Sequence, residues 1–321
     1  MKLRYLLFAF FIFTFSSYSS EYKRSFIFWG TNFDILIKSD LETNKLDEIT
    51  NNAIAILNHL NNIFNNYDSN SELSKFNLSK KNIKTEISPE FNELLKISKE
   101  YNSFSKGFFD VTFGKITSQL NYNNMNVAEQ APVENNHCGG WSNLTFDYDN
   151  FFISKKIDCL EIDFGGIAEG YALKKIIDMM QKEGVDDALI NFGGNITSIS
   201  KNHKWKTYIN EPLKEIKPFR EINLNNQSIS TSSLYGKFIN YKSFKLSHII
   251  NPKTKKLKEY QNLSVSIISN NPVYSDALST ALISMSVDEM LEFISKNKIK
   301  AVILKKIGNK KTEIIYKTKG L

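Results

Sequence analysis

Asp276 and Thr280 stand four residues apart in SDALSTALISM (residues 275–285), where the apolar spacing is helical, so a carboxylate and a hydroxyl share one helix face. Two oxygen donors placed in this way can hold a hard cation such as magnesium. The plainer alternative makes Asp276 a first-turn capping residue and Thr280 filler. A second segment, DFGGIAEGYA (163–172), joins an expected strand carrying Ile157, Leu160, Ile162 and Phe164 to an expected helix. That helix carries Leu173, Ile176, Ile177 and Met180 and stops at Gly184. Gly165 and Gly166 let a ligand approach the main chain, and a helix start turns unpaired N–H groups and a positive dipole end toward an anion such as phosphate. Ordinary strand-to-helix punctuation is the other reading.

Three further segments carry chemistry-bearing residues. SHIINPKT (247–254) puts His248 at the start of a short strand before a proline turn. Its imidazole can serve as a general base, bind phosphate, or be structural. NFGGN (191–195) is a second paired-glycine turn, and FDVTFG (109–114) sets Asp110 and Thr112 on one side of an extended stretch. Asp110 either orients a ligand hydroxyl or bonds its own backbone.

The elements that must position these groups follow from periodicity. Residues 26–37 alternate as a strand, interrupted around Gly30 and Thr31 by a bulge or a ligand approach. A helix over 46–64 buries Ile49, Ala53, Ile56, Leu57, Leu60 and Phe64 and ends in the polar turn NNYDSNS. A second helix over 88–105 is capped by Ser88, opened by Pro89, buries Phe91, Leu94, Leu95 and Ile97, and ends at Gly107. Residues 121–150 are polar and read as an inserted loop with short elements. Strands are expected at 188–192, 205–210, 229–231, 247–250 and 263–268, helices at 276–285 and 287–296, and a closing strand pair at 301–304 and 312–316. The order lacks a regular βαβ rhythm, which points to one α+β domain.

With 321 residues, 41% hydrophobic and 23% charged, the chain is in the globular range. Lys2 and Arg4 precede an apolar run, residues 6–15, and the small residues Ser16, Ser17, Ser19 and Ser20, the layout of a secretory signal peptide over 1–20. Removing it leaves a domain over 21–321 and lowers the net charge from +7 to +5. No stretch interleaves arginine with stacking aromatics, so nucleic acid is not an expected partner. Cys138 and Cys159 permit a disulfide in an exported protein, and two cysteines do not make a zinc site. The expectation is an exported protein, periplasmic or associated with the cell envelope. Retention of the leader would add a membrane attachment.

Taken in order, the blocks FWGTNFDI, NNYDSNSELSKFN, SKGFFDVTFG, DFGGIAEGYA, LINFGGNI, STSSLYG, SHIINPKT and YSDALSTAL resemble the ApbE-type FAD:protein FMN transferase family, from Trp29 almost to the C-terminus. The resemblance implies a single two-lobed α+β domain of mixed or antiparallel sheets flanked by helices, ApbE-like and T-fold-like. It implies an enzyme that splits the FAD pyrophosphate with Mg2+, moves FMN to a Ser or Thr hydroxyl of an acceptor protein and releases AMP. It assigns the metal to Asp276, Thr280 and the Gly166 carbonyl. FAD falls to Trp29, Gly30, Thr31, Asn66, Tyr67, Asp68, Lys106, Glu169 and Ile249. His248 becomes the base, with Asp110 its rival. The chain departs from the family pattern at Glu169, where Lys is frequent, and at Trp29, Ser233 and Asn251, where Met, Gly and Asp are usual. An FAD pyrophosphatase giving FMN and AMP, and a non-catalytic exported FAD-binding protein, are the alternatives.

Overall fold

The computed structural model describes residues 20–118, 137–212, 217–241, 244–308 and 311–321. A hairpin of β1 (Ser20–Phe28) and β2 (Thr31–Ser39) leads into helices α1 (Thr43–Phe64) and α2 (Glu72–Leu78). Then come β3 (Thr85–Glu86), α3 (Pro89–Phe104), α4 (Gly114–Ser118), β4 (Leu144–Asp147) and β5 (Phe152–Lys155). Helix α5 (Ala168–Lys182) precedes β6 (Asp187–Phe192), β7 (Asn195–Ser200), β8 (Trp205–Asn210), β9 (Pro218–Leu224) and β10 (Ser228–Ser233). The last third runs through β11 (Phe238–Tyr241), β12 (Phe244–Asn251), β13 (Lys256–Glu259), β14 (Leu263–Ser269), α6 (Pro272–Ser284), α7 (Val287–Asn297), β15 (Lys300–Lys306) and β16 (Thr312–Lys317).

Eight strands form one antiparallel sheet in the order β1-β2-β6-β7-β10-β14-β15-β16, and β11-β12-β13, β3-β5-β4 and β8-β9 form smaller sheets. This is the expected α+β class. Helix α1 turns Leu46, Ile49, Ala53, Leu57 and Leu60 into the main core, as its spacing predicts. Ser88 caps α3 by accepting the Phe91 N–H at 3.2 Å, and Ser286 and Glu289 form a reciprocal capping box on α7. Helix α6 is different: it is buried on nearly every side, packed against α5, β10, β14 and β12. Polar residues on such a helix need partners inside the protein.

Two expected strands are built otherwise. Residues 26–37 form two strands, because Trp29 (φ 51°) and Gly30 (φ 74°) make the two-residue left-handed turn of a tight hairpin that pairs Phe28 with Thr31. Apolar alternation runs through the turn and looks like one strand. Residues 157–159 form a bend and turn, and 160–164 hold only an isolated bridge, Phe113 with Glu161. The Asn77 amide takes the place of a partner strand: its Oδ1 accepts the Ile162 N–H at 2.8 Å and its Nδ2 donates to the Ile162 carbonyl at 2.9 Å. Cys138 and Cys159 are joined by a disulfide, which the spacing had left open. Of the expected loop over 121–150, residues 121–136 lie outside the described residues, and the rest holds a 3-10 turn (Trp141–Asn143) and β4. The expected leader also lies outside them, except Ser20, which opens β1. No helix among the described residues is long and apolar enough to cross a membrane.

Candidate functional site

Asn271 caps α6, its Oδ1 accepting the Val273 N–H at 3.0 Å, so Asp276 lies a full turn inside the helix and is not its cap. Asp276 is 6% exposed, and its Oδ2 accepts the Gly170 N–H at 2.8 Å from the first turn of α5. Gly170 permits this approach: a Cβ there would lie 2.6 Å from the Pro272 carbonyl oxygen and 2.7 Å from Asp276 Cβ. One turn along α6, Thr280 presses on Gly166, where a Cβ would lie 3.0 Å from Thr280 Oγ1. The structure thus gathers Gly166, Asp276 and Thr280 at one place. Ser232 of β10 supports the group, its Oγ 3.4 Å from Thr280 Oγ1 and 2.8 Å from Ser279 Oγ. The α5 N-terminus has no side-chain cap, and the anion it receives, at Gly170, is the protein's own carboxylate.

Glu169, beside Gly170, is clamped from the opposite side. Its Oε2 accepts from Asn195 Nδ2 at 2.6 Å, and a Cβ on Gly193 would lie 2.7 Å from that oxygen. Burial pushes the Glu169 carboxyl up to about 7, against the Asn195 bond and the Lys237 ammonium, which draw it down. Asp276 is pushed up to about 8, first by burial and then by repulsion from Glu169, with the Gly170 N–H opposing. Among the described residues Asp276 has no cationic partner, and no hydrogen bond reaches its Oδ1. A buried carboxylate, a second one repelling it, a hydroxyl and a main-chain carbonyl make an all-oxygen set short of positive charge. These residues fit magnesium.

His248 lies in the middle of β12 rather than at its start. Against β13 the register shifts between Leu246, which pairs with Glu259, and Ile250, which pairs with Leu257. Four residues of β12 therefore cover what two of β13 cover, a bulge that takes residues 247–249 out of that ladder. His248 Nδ1 lies 3.0 Å from the Lys237 carbonyl oxygen. A carbonyl only accepts, so Nδ1 carries the proton and the neutral ring keeps its lone pair on Nε2. Burial pushes this imidazole below its ordinary value of 6.5, with the backbone bond opposing. Lys237 therefore serves both sides, its carbonyl orienting His248 and its ammonium acting on Glu169. Ile249 follows, 8% exposed, its N–H donating to Ser247 Oγ at 3.4 Å.

The remaining expected residues are distributed around this centre. The Trp29–Gly30 turn sits beside the Gly193–Gly194 turn, since Phe33 pairs with Phe192 and the Gly193 N–H donates to the Asn32 carbonyl at 3.0 Å. The Trp29 ring lies 5.1 Å from that of Phe192, and its buried Nε1 has no hydrogen-bond partner among the described residues. Thr31 opens β2. Asn66 Oδ1 accepts from Asn77 at 3.1 Å, which ties the turn of Asn66, Tyr67 and Asp68 to residues 162–163, just before the glycine pair. Tyr67 is 86% exposed, and Asp68 Oδ1 accepts the Asn70 N–H. Lys106, exposed in the left-handed region at φ 56°, follows α3, and no contact among the described residues joins it to the carboxylates. Asp110 Oδ1 accepts the N–H and hydroxyl of Thr112 at 2.9 and 2.7 Å, and Thr112 Oγ1 accepts the Gly140 N–H at 2.6 Å. It bonds its own turn, next to the disulfide. Sequence reasoning does not reach Lys237, Asn195 or Ser232 as site residues, although Asn195 ends NFGGN and Ser232 lies within STSSLYG.

Comparison with known proteins identifies the family. Residues 29–303 match the ApbE family model, and the chain belongs to that family. Among curated relatives, the FAD:protein FMN transferase of Haemophilus influenzae is 25% identical over 294 residues, spanning 87% of this chain and 85% of its own length. That of Buchnera aphidicola from Schizaphis graminum is 28% identical over 231 residues, covering 69% and 68%. Among solved structures, the Pseudomonas stutzeri flavinyl transferase ApbE superposes with a TM-score of 0.79 at 21% identity over 92% of this chain and 95% of its own. The Thermotoga maritima protein gives 0.80 at 22% identity over 92% and 97%. At these identities the structural likeness establishes the fold.

Proposed function

We propose that this chain is an FAD:protein FMN transferase that moves FMN from FAD to a Ser or Thr hydroxyl of an acceptor protein, with magnesium, and releases AMP. The observation that carries this reading is the convergence of Asp276, Thr280 and Gly166 beside Glu169, with Lys237 orienting a neutral His248 through its carbonyl and acting on Glu169 through its ammonium. Asp276, Thr280 and the Gly166 carbonyl would hold the cation, which supplies neutralisation of pyrophosphate charge when bound. His248 Nε2 takes the proton of the acceptor hydroxyl as its oxygen bonds the FMN phosphorus. The bond between that phosphorus and the bridging oxygen breaks, and AMP departs with the electron pair. The Trp29–Thr31 turn, Asn66 to Asp68, Lys106, Glu169 and the Ile249 backbone hold the dinucleotide. Residues 1–20 direct the chain out of the cytoplasm, so the acceptor is a periplasmic or envelope protein.

Incubation with FAD, magnesium and an exported candidate acceptor tests the reading on a denaturing gel. Flavin fluorescence on the acceptor band, with AMP released in equal amount, is the expected result. Free FMN without labelling would replace transfer by hydrolysis, and FAD left intact would make the chain a carrier.

A further inference from the structure

The chain's positive charge is concentrated around His248. In the sequence, residues 236–260, the range that includes strands β11–β13, hold seven lysines and one glutamate, a net +6 in a chain whose total is +7. Lys237, Lys245, Lys253 and Lys256 are exposed. Aromatic rings hold two of these side chains: Lys245 Nζ is 5.1 Å from the Phe238 ring centre and 5.5 Å from that of Tyr260, and Lys253 Nζ is 4.2 Å from that of Phe108. Among the described residues Lys245, Lys253, Lys255 and Lys256 form no ion pair, while lysines elsewhere, such as Lys45, Lys115, Lys175 and Lys201, do. The acids that act on these lysines include Glu259 within the sheet, Glu289 of α7, whose charge acts on Lys253 and Lys258, and Glu169, which feels Lys237.

We propose that this lysine-bearing sheet is the docking surface for the acceptor, and that it takes an acidic segment flanking the hydroxyl that receives FMN. The inference rests on the transfer reading, because the hydroxyl must reach His248 and its neighbours must then lie along β11–β13. Exposed lysines that form no ion pair among the described residues, such as Lys245 and Lys256, raise the local concentration of an anionic partner and set its orientation. An anionic membrane would also reward such a surface, but interfacial binding draws on apolar insertion. Among the described side chains the exposed large apolar ones all lie outside residues 236–260. An acidic protein segment is the better fit.

Two dye-labelled peptides test this on the mature chain by fluorescence anisotropy: a threonine flanked by Asp and Glu, and its twin with Asn and Gln in their place. The acidic peptide should bind about tenfold more tightly at low salt and lose that advantage at high salt. A Lys245→Gln, Lys253→Gln, Lys256→Gln variant should lose the preference while binding FAD as before. A control with Lys80→Gln, Lys81→Gln and Lys96→Gln, three exposed lysines elsewhere, should keep it. Equal binding of the twins, an equal loss in the control, or a parallel loss of FAD affinity would overturn the proposal. So would sedimentation of the wild type, but not the sheet variant, with phosphatidylserine vesicles when the peptides bind alike. Flavin transfer is scored separately on the same samples. Transfer with no preference for the acidic peptide sinks the docking surface alone, and preference with no transfer to any acceptor sinks the transfer reading.

Discussion

The carboxylate side of the site, on α5 and α6, and the histidine side, on β12, are built by different means and respond to protons in opposite directions. Glycines at 166 and 170 bring α5 against α6 until Asp276 and Thr280 have no other place to lie, and burial raises both carboxyls, Asp276 to about 8 and Glu169 to about 7. His248 is set by a register shift and one backbone carbonyl, and burial lowers its pKa. The same loss of water therefore leaves one side seeking a cation and keeps the other neutral and basic near pH 7.

The strongest way to break the comparison is to remove charge from the first side only. Asp276→Asn keeps an acceptor for the Gly170 N–H but offers the cation no anionic ligand. FMN transfer should fall by several kcal/mol of barrier, on the order of a thousandfold or more, while the far-ultraviolet circular dichroism is unchanged. Near-normal turnover at saturating magnesium would remove Asp276 from the site. His248→Ala attacks the other side and should slow transfer by about a hundredfold to a thousandfold, with magnesium-induced stabilisation unaffected. A normal rate would take the proton transfer away from the histidine side.

How far each side was legible in the sequence follows from how it is made. The four-residue spacing of Asp276 and Thr280 fixes their shared face because α6 is a regular helix, and the glycine pair before α5 announces a close approach. That Asp276 is buried, and so no surface ligand as sequence spacing alone would allow, depends on Gly170 in a different helix, 106 positions away. The role of Asn77 was also hidden. A side-chain amide that replaces a strand partner leaves Ile157, Leu160, Ile162 and Phe164 looking like any strand. Lys237 and Asn195 were illegible for a related reason: one acts through its carbonyl and the other through a contact across the sheet end, and neither leaves a periodic trace.

Gly170→Ala tests the packing that makes the first side. Its methyl would meet the Pro272 carbonyl and Asp276 Cβ at 2.6 and 2.7 Å, so the helices must part, at about 1–3 kcal/mol of stability. Thermal melting should show the loss, and magnesium should no longer raise the midpoint. An alanine that is neutral, or stabilising as in an ordinary helix interior, would mean that α5 and α6 are not pressed together here.

Proton linkage sharpens the contrast. The ion-free folded chain holds protons on Asp276 and Glu169 more tightly than the unfolded chain does, so their contribution is full below the ordinary carboxylate range and is lost as pH rises through about 7 to 8. His248 works the other way: its folded pKa is lowered, so its contribution is present above 6.5 and is lost as pH falls below that value. Because a cation must displace the carboxyl protons, the magnesium-induced rise in melting temperature should grow from pH 6 to pH 8. In Asp276→Asn it should be absent, and the ion-free variant should be more stable than wild type at pH 8. A magnesium effect that is flat across this range would contradict the raised carboxyls.

The smallest expected effect lies at Ser232, whose hydroxyl bridges Ser279 and Thr280 and touches no proposed substrate atom. If it orients Thr280 Oγ1, Ser232→Ala should weaken the apparent affinity for magnesium by up to about tenfold, leave kcat at saturating magnesium near normal, and leave the affinity for FAD unchanged. Ser232→Thr, which keeps the hydroxyl, should restore the magnesium response. A drop in thermal stability with no change in magnesium dependence would make Ser232 a packing residue, and the cation side would then rest on the two glycine contacts alone.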